Sequence, residues 1–197
     1  MTKFLLLLGP SGVGKSSIIN ELRSLDTRFD YISPYITRPL RTDEKDKISV
    51  SSEVMDEMDR NKMFLTINEV YGIRYATPKL PIIKALNENR FPILDWPINK
   101  ISIMRSSFPG RLMSVYVEPP SLDDLRERLG RDRRDINGIR YGEAVAELTK
   151  LWSGEFDGQF DFRLVSRSGE VRSISRQIYV RYVESMCEGN SHGKEFG

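Results

Sequence analysis

The feature that most constrains the fold is an apolar run followed immediately by a glycine-rich loop and a helix. Residues 4–8 are FLLLL, residues 9–16 are GPSGVGKS, and apolar residues recur at helical spacing between residues 16 and 25. A run without polar alternation is typical of a strand covered on both faces, as in a parallel sheet. The order of strand, glycine loop and helix predicts an α/β fold with a parallel sheet flanked by helices.

Later segments continue this pattern of strands and helices. Residues 64–77, FLTINEVYGIRYAT, indicate two short strands joined by a turn at the Tyr-Gly pair. Residues 91–95 and 112–117 indicate two further buried strands, and residues 137–152 indicate a helix with apolar residues on one face. The chain has 197 residues and no interdomain linker, so we expect a single domain.

Composition excludes several classes of protein. No apolar stretch approaches the ~18 residues that cross a bilayer, and the first run is shorter than the ~7–15 residues of a signal-peptide core. The single Cys187 excludes an internal disulfide framework, so we expect a reducing, cytoplasmic location. The lone His192 argues against histidine catalysis or a histidine metal site. A net charge of +2 gives no reason to expect nucleic acid as a partner, and none to expect a membrane.

The loop at residues 9–16 matches the phosphate-binding pattern G-x-x-x-x-G-K-[ST] at every fixed position. Its glycines allow backbone N–H groups to surround a phosphate, and the following helix adds its positive N-terminal end. We expect Lys15 to contact the terminal phosphates of ATP, and Ser16 to be a ligand of the Mg²⁺ that accompanies ATP. The predicted ATP-binding residues are Gly9, Pro10, Ser11, Gly12, Val13, Gly14, Lys15, Ser16 and Ser17.

Other sequence features separate the classes of protein that share this loop. A GTPase would need a base-binding N-K-x-D segment, and neither Asn-Lys pair of the chain fits that pattern. A large ATPase would need an apolar strand ending in Asp-Glu, whereas residues 91–97 are FPILDWP. Six arginines lie between Arg126 and Arg140. Arginines on a mobile lid would neutralise the charge of a phosphoryl group in transfer, which favours a phosphotransferase.

Several segments, taken together and in order, resemble the guanylate kinase family. They are GPSGVGKSS, YITRPLR with Glu44 downstream, EVYGIRYAT, ILD, VEPPSLDDLRERL and a helix that contains AVAEL. The resemblance implies a P-loop NTPase fold with a small acceptor-binding insert and a lid, in a single domain over residues 1–187. The implied parts are the core (1–32, 81–125 and 143–187), the insert (33–80), the lid (126–142) and a disordered tail (188–197).

The resemblance also implies roles for individual residues. Arg38 and Arg41 match the pair that binds the phosphate of the acceptor, and the planar fork of arginine suits that task. Tyr75 matches a tyrosine that donates to the same phosphate, and Thr77 matches a hydroxyl residue that contacts the base. Asp95 matches an acid that ends a core strand near the metal and the acceptor.

In the lid, the resemblance implies two arginines that contact the transferred phosphoryl group. The segment is shorter than usual in the family, so the first of them could be any one of Arg131, Arg133 and Arg134. The second is Arg140. The predicted catalytic residues are Lys15, Arg38, Arg131, Arg134 and Arg140.

Three positions depart from the family pattern at the guanine base. Guanine presents N1–H and N2–H₂ donors, which need a carboxylate, and an O6 acceptor, which needs a donor; the family meets this edge with a serine and two acids. Pro34, Thr66 and Pro97 occupy those places here. Glu69 cannot replace an acid at 66, because an odd offset along a strand points to the opposite face, whereas Asn68 points the same way.

Three functions remain open at this point. The first is an ATP-dependent phosphotransferase that moves the γ-phosphoryl group of Mg-ATP to a nucleoside monophosphate, with GMP as the first candidate. The second is a kinase of a phosphorylated sugar, because YITR and the shortened acidic stretch after it resemble ribose 1,5-bisphosphate phosphokinase. The third is a guanylate-kinase-like module that binds proteins without catalysis. Such modules lose the phosphate-binding loop, which is intact here.

Overall fold

The structure, a computed structural model, describes residues 1–42, 44–70, 72–131 and 138–188. In chain order the strands are β1 (Phe4–Leu8), β2 (Phe29–Tyr31), β3 (Tyr35–Ile36), β4 (Ile48–Ser49), β5 (Phe64–Val70), β6 (Ile73–Pro78), β7 (Phe91–Asp95), β8 (Leu112–Glu118) and β9 (Phe162–Val165). The helices are α1 (Lys15–Leu25), α2 (Ser52–Arg60), α3 (Lys79–Asn87), α4 (Ile101–Ser107), α5 (Leu122–Arg131), α6 (Ile139–Trp152) and α7 (Val171–Glu188). A 3₁₀ turn, Ile98–Lys100, precedes α4.

The main sheet has five strands in the order β2-β7-β1-β8-β9, and every neighbouring pair is parallel. β1 lies at its centre, and all five of its residues are buried. A central parallel strand has both faces covered by helices, which is why its sequence shows no polar alternation. The predicted parallel sheet flanked by helices is therefore confirmed.

Helices with one apolar face cover the main sheet. α1 buries Ile18, Ile19 and Leu22, and the last helix, α7, packs against it and buries Ile178 and Tyr182. The hydroxyl of Tyr182 donates to the backbone oxygen of Lys3 at 2.5 Å, which satisfies a polar atom that is otherwise buried.

A second sheet has four strands in the order β4-β3-β6-β5. β5 and β6 form an antiparallel hairpin, as the sequence predicts, with Asn68 opposite Tyr75 and Thr66 opposite Thr77. The sheet packs on α2 through a small cluster whose buried members are Met55, Phe64 and Ala76. The side chain of Ser51 accepts a hydrogen bond from the backbone N–H of Val54 and so caps α2.

The segment after Pro97 holds two elements that were not predicted from the sequence. The 3₁₀ turn at 98–100 and the seven-residue helix α4 follow Pro97, and Ile101 and Met104 of α4 join the main core. A helix of two turns carries too few apolar repeats for its period to be recognised. Within the part of the chain that the structure describes, no helix has the length and apolar character required to cross a bilayer.

Candidate active site

A cavity of about 390 Å³ lies beyond the carboxyl ends of β1 and β7. The loop after β1, the second sheet, the segment after β7 and one face of α6 all contribute to its wall. The predicted site residues that line it are Gly9, Pro10, Ser11, Lys15, Tyr75, Thr77, Asp95 and Arg140. The remaining predicted site residues that the structure describes do not line it, namely Gly12, Val13, Gly14, Ser16, Ser17, Arg38, Arg41 and Arg131.

The glycines of the loop permit a backbone that other residues could not adopt. Gly9 has φ +120°, and a Cβ atom there would lie 2.1 Å from the backbone oxygen of Val117 on β8. Gly12 has φ +86°, and a Cβ atom there would lie 2.9 Å from the side chain of Leu129. The loop is thus pressed against β8 and α5, and α1 begins directly behind it at Lys15.

Lys15 reaches back over the loop that precedes it. Its Nζ donates to the backbone oxygens of Gly9 at 2.6 Å and Pro10 at 2.8 Å. Burial lowers the pKa of Lys15, while the negative charges of Asp95 and Glu147 oppose that shift. A partly desolvated ammonium group beside the loop is suited to bind a phosphate oxygen, whose charge would replace the two carbonyl dipoles.

Asp95 ends β7 directly beside β1, where it pairs with Leu7 in the register of the sheet. Its Oδ1 accepts a hydrogen bond from the hydroxyl of Tyr31 at 3.1 Å. Burial raises the pKa of Tyr31, and the charge of Asp95 raises it further. Tyr31 therefore stays protonated and holds the carboxylate of Asp95 at the mouth of the loop.

One face of α6 lines the cavity with Arg140, Glu143, Ala144 and Glu147, at helical spacing. Glu147 accepts a hydrogen bond from the hydroxyl of Tyr116 at 2.7 Å, and burial raises its pKa, although that hydrogen bond and the charge of Lys15 oppose the shift. No role for Glu143 or Glu147 was predicted from the sequence. The available signal was their spacing, three and four residues apart along one helical face with Arg140.

Arg38 forms a two-pronged ion pair with Glu44, at 2.6 and 2.7 Å. Lys47 donates to the same carboxylate at 2.9 Å, and the backbone N–H of Arg41 approaches it at 3.4 Å. The Arg38 guanidinium is the main cause that lowers the pKa of Glu44 to about 2. The hydroxyl of Tyr75 further raises the pKa of Arg38, so the two predicted acceptor residues lie close together. Arg41 itself is exposed.

One face of the hairpin formed by β5 and β6 also contributes to the wall of the cavity. Thr77 is buried and, with Asn68 and Tyr75, lines the cavity. The Nζ of Lys100, in the 3₁₀ turn, donates to Oδ1 of Asn68. Pro34, Trp96 and Pro97 complete this part of the wall. Lys100 and Trp96 were not identified from the sequence, because nothing in their local pattern separates them from ordinary surface and core residues.

The predicted lid arginines differ in where they lie. Arg131, at the end of α5, is exposed and pairs with Glu127 one helical turn earlier. Arg140 lines the cavity, and its charge contributes to the lowered pKa of Lys15. Arg133 and Arg134 lie outside the residues that the structure describes.

The donor set near the loop fits a magnesium ion that is shared with a bound phosphate. Ser16, the second residue of α1, and Asp95 offer hard oxygen ligands. Among the described residues, no group of three or more histidine, cysteine, aspartate or glutamate side chains could hold a metal ion. Mg²⁺ commonly binds through one or two protein oxygens, substrate phosphates and water, so a sparse donor set is suited to it.

Comparison with known proteins places the fold and the site in a family. The guanylate kinase family model matches residues 1–168. The guanylate kinase of Granulibacter bethesdensis is 35% identical over 157 residues, which cover 77% of this chain and 73% of that protein. The guanylate kinase of Bacillus cereus is 33% identical over 198 residues, which cover 94% of this chain and 96% of the relative.

The solved structures agree on the fold. The crystal structure of guanylate kinase from Anaplasma phagocytophilum superimposes with a TM-score of 0.72 at 20% identity, covering 94% of this chain and 87% of that chain. A shikimate kinase from Acinetobacter baumannii superimposes with a TM-score of 0.51 at 17% identity, covering 93% and 94% of the two chains. The P-loop NTPase fold is thereby confirmed, and the chain belongs to the guanylate kinase family.

Proposed function

We propose that this protein transfers the γ-phosphoryl group of Mg-ATP to the phosphate of GMP. The observation that carries the proposal is a single cavity that brings the phosphate-binding loop and Lys15 together with Tyr75 and Thr77 of the second sheet. Arg38 lies beside Tyr75, so an acceptor phosphate placed there would face the terminal phosphate of ATP. Holding the two phosphates in line in one enclosed site is the main task of an enzyme of this kind.

The residues of the loop and the second sheet would divide the work of positioning. Lys15 and the loop amides bind the β- and γ-phosphates, and Ser16 and Asp95 hold the Mg²⁺, which neutralises phosphate charge when it is bound. Arg38, Arg41 and Tyr75 orient the acceptor phosphate, with Thr77 at the base. That phosphate is ionised at neutral pH and is itself the nucleophile, so no strong general base is required. The negative charges of Asp95 and Glu147 raise the pKa of Lys15 against the effect of burial, which favours its charged form.

The division into parts belongs to the same proposal. Residues 33–80, which hold the second sheet, would form the acceptor-binding insert, and residues 126–142 the lid. Arg140, together with Arg131 or Arg134, would contact the transferred group when the lid closes and water is expelled. We place the enzyme in the cytoplasm, because its one described cysteine, Cys187, is free and exposed.

The two other functions considered from the sequence have less support. A phosphorylated sugar has no base for Thr77 to contact, whereas Thr77 lines the cavity beside Tyr75. A non-catalytic module would have no use for a loop whose Gly9 and Gly12 are packed for phosphate binding and whose Lys15 is partly desolvated.

Replacement of Lys15 tests the ATP site. Lys15→Ala removes the cation from the loop, so we expect turnover of GMP to fall by at least ~100-fold, as when one key charge-stabilising group is lost from an active site. Coupled assay of ADP formation measures the rate, and circular dichroism checks the fold. Lys84→Ala, on the exposed surface of α3, is the matched control. If Lys15→Ala kept the rate of the control, ATP would bind elsewhere and the proposal would fail.

A further inference from the structure

The wall of the cavity that faces the acceptor carries hydrogen-bond donors. Asn68 and Thr77 come from the hairpin, and Trp96 comes from the segment after β7. The indole Nε1–H of Trp96 is buried and has no acceptor among the described residues. Pro34 and Pro97, on either side, offer no side-chain hydrogen bond.

The contact between Lys100 and Asn68 decides which atoms the asparagine presents. Lys100 donates to Oδ1 of Asn68, so the acceptor end of that amide is already engaged. An ammonium group can only donate, which fixes the orientation of the amide. The Nδ2 group of Asn68, with its two N–H donors, is then the part of the amide that can bind a ligand, and the positive charge of Lys100 lies at the other end of the same amide. The pair therefore favours a ligand atom that accepts.

The carboxylates that line the cavity come from β7 and α6, not from the hairpin. The three that line it are Asp95, Glu143 and Glu147. The negative charges of Asp95 and Glu147 both raise the pKa of Lys15, so these carboxylates are near the phosphate-binding loop. Glu143 lies one turn before Glu147 on the same face of α6. The hairpin presents Asn68 and Thr66 toward the side of Tyr75 and Thr77, because residues directly opposite in a hairpin share a face. No carboxylate comes from that face.

The purine bases differ in which edges donate and which accept. Guanine has acceptors at O6 and N7 and donors at N1 and at its 2-amino group, whereas adenine has a 6-amino donor in place of O6. A cavity wall that carries hydrogen-bond donors fits the acceptors O6 and N7 of guanine. A neutral threonine at 66 and prolines at 34 and 97 leave the 2-amino group without a charged partner.

We propose that Asn68, with its amide oriented by Lys100, selects the acceptor by its 6-oxo group, and that the site does not distinguish bases by the 2-amino group. The substrate class is then the 6-oxopurine nucleoside monophosphates, with IMP accepted alongside GMP; this rests on the proposed function. AMP is rejected, because its 6-amino group would place a donor against the N–H donors of Asn68 and leave both groups unpaired.

A comparison of three acceptors tests the inference directly. Steady-state kcat/KM is measured for GMP, IMP and AMP at saturating Mg-ATP. We expect the value for IMP to lie within about tenfold of that for GMP, and the value for AMP to be lower by ~100-fold or more. A GMP value ~100-fold above that for IMP would overturn the inference and leave the proposed function intact. Absence of turnover with all three would overturn both.

A substitution of Lys100 separates recognition from packing. Lys100→Met keeps the length of the side chain and removes the charge and the donors. We expect kcat/KM for GMP and IMP to fall by about 10–100-fold, mainly through KM, while that for AMP stays unchanged or rises. The affinity for ATP should stay as in the wild type. Lys84→Met on α3 is the matched control. An equal loss with all three acceptors would show a purely structural role and overturn the assignment.

A second variant adds the missing carboxylate and does not remove a contact. Thr66 shares the face of Asn68 and lies opposite Thr77. Thr66→Glu would give the 2-amino group a charged acceptor, so we expect the ratio of kcat/KM for GMP to that for IMP to rise about tenfold. An unchanged ratio in a folded variant that turns over GMP would mean that the base binds in another orientation, which overturns the inference.

Discussion

At the scale of a single residue, the ion pair of Arg38 bears on the role proposed for it at the acceptor phosphate. Its guanidinium is held by both oxygens of Glu44, and Lys47 donates to the same carboxylate. The side chains of Arg38 and Glu44 are only 14% and 10% exposed, so the pair is shielded from solvent. Because the guanidinium is already oriented, an acceptor phosphate need not order a free side chain when it binds.

The same ion pair makes the stability of the protein depend on pH. The hydrogen bond from Arg38 is the main cause that lowers the pKa of Glu44 from its ordinary value of 4.5 to about 2 in the folded protein. A lowered carboxylate pKa stabilises the fold above pH 4.5, by about 3 kcal/mol, and about half of this contribution is lost by pH 3. Glu44→Gln should therefore be less stable than the wild type at pH 7, with a difference that narrows as the pH falls.

Urea unfolding at pH 7, 5 and 3 measures that difference in the free energy of unfolding. Glu57→Gln, at an exposed position of α2, is the control, and it should differ little from the wild type at any of these values. A gap between Glu44→Gln and the wild type that stays constant from pH 7 to pH 3 would contradict the assigned role of the ion pair.

Individual residues could be predicted from the sequence only where a motif fixes their place. Lys15 follows from the loop pattern, and Tyr75 and Thr77 follow from the hairpin, because both motifs are local. The contacts of Glu147 with Tyr116 and of Lys100 with Asn68 join residues 31 and 32 positions apart. Nothing in the neighbourhood of any one of them indicates its partner, so these site residues emerged only from the structure.

At the scale of elements, the phosphate-binding loop is held by close packing as well as by its own conformation. A Cβ atom on Gly9 would meet the backbone of Val117, which cannot move without disturbing β8. Gly142, inside α6, has nothing within 4 Å of the same added atom. A glycine-to-alanine substitution therefore causes a clash at Gly9 and meets open space at Gly142.

We expect opposite effects from these two substitutions. Gly9→Ala should lower the free energy of unfolding by about 3 kcal/mol or more, from overpacking and a strained positive φ, and should abolish binding of ATP. Gly142→Ala should raise stability by about 0.5–1 kcal/mol, because alanine favours a helix interior. Thermal unfolding followed by circular dichroism, with calorimetric titration of a non-hydrolysable ATP analogue, measures both effects. A Gly9→Ala variant that bound the analogue normally would show that the loop tolerates the side chain.

Elements were predictable in proportion to their length and the regularity of their pattern. β1 is an unbroken apolar run, α6 has apolar residues on one face, and the hairpin of β5 and β6 has a Tyr-Gly turn between its strands; all three lie where the sequence places them. The edge strand β2 has three residues and α4 has seven, too few for a period to show. Both are held by tertiary packing, with Phe29 buried against Phe91 and Met104 buried in the main core.

At the scale of the whole molecule, the described residues form two hydrophobic cores of very different size. The main sheet and its helices share one large cluster, whereas the second sheet and α2 share a cluster with three buried members, Met55, Phe64 and Ala76. Local stability follows the apolar surface buried around a segment. The second sheet should therefore open more often than the main sheet, and the acceptor side of the cavity should be the less stable half of the site.

Hydrogen exchange with matched methionine variants tests this difference. Met55 and Met104 are both fully buried, the first in the small cluster and the second in the main core. Either methionine-to-alanine change should cost about 2–5 kcal/mol locally. Met55→Ala should speed amide exchange by at least ~30-fold in β5 and β6 while β1 and β8 stay protected and ATP still binds. Met104→Ala should speed exchange throughout the main sheet. Equal loss of protection in β1 and β6 on Met55→Ala would show one cooperative unit and refute the two-core description.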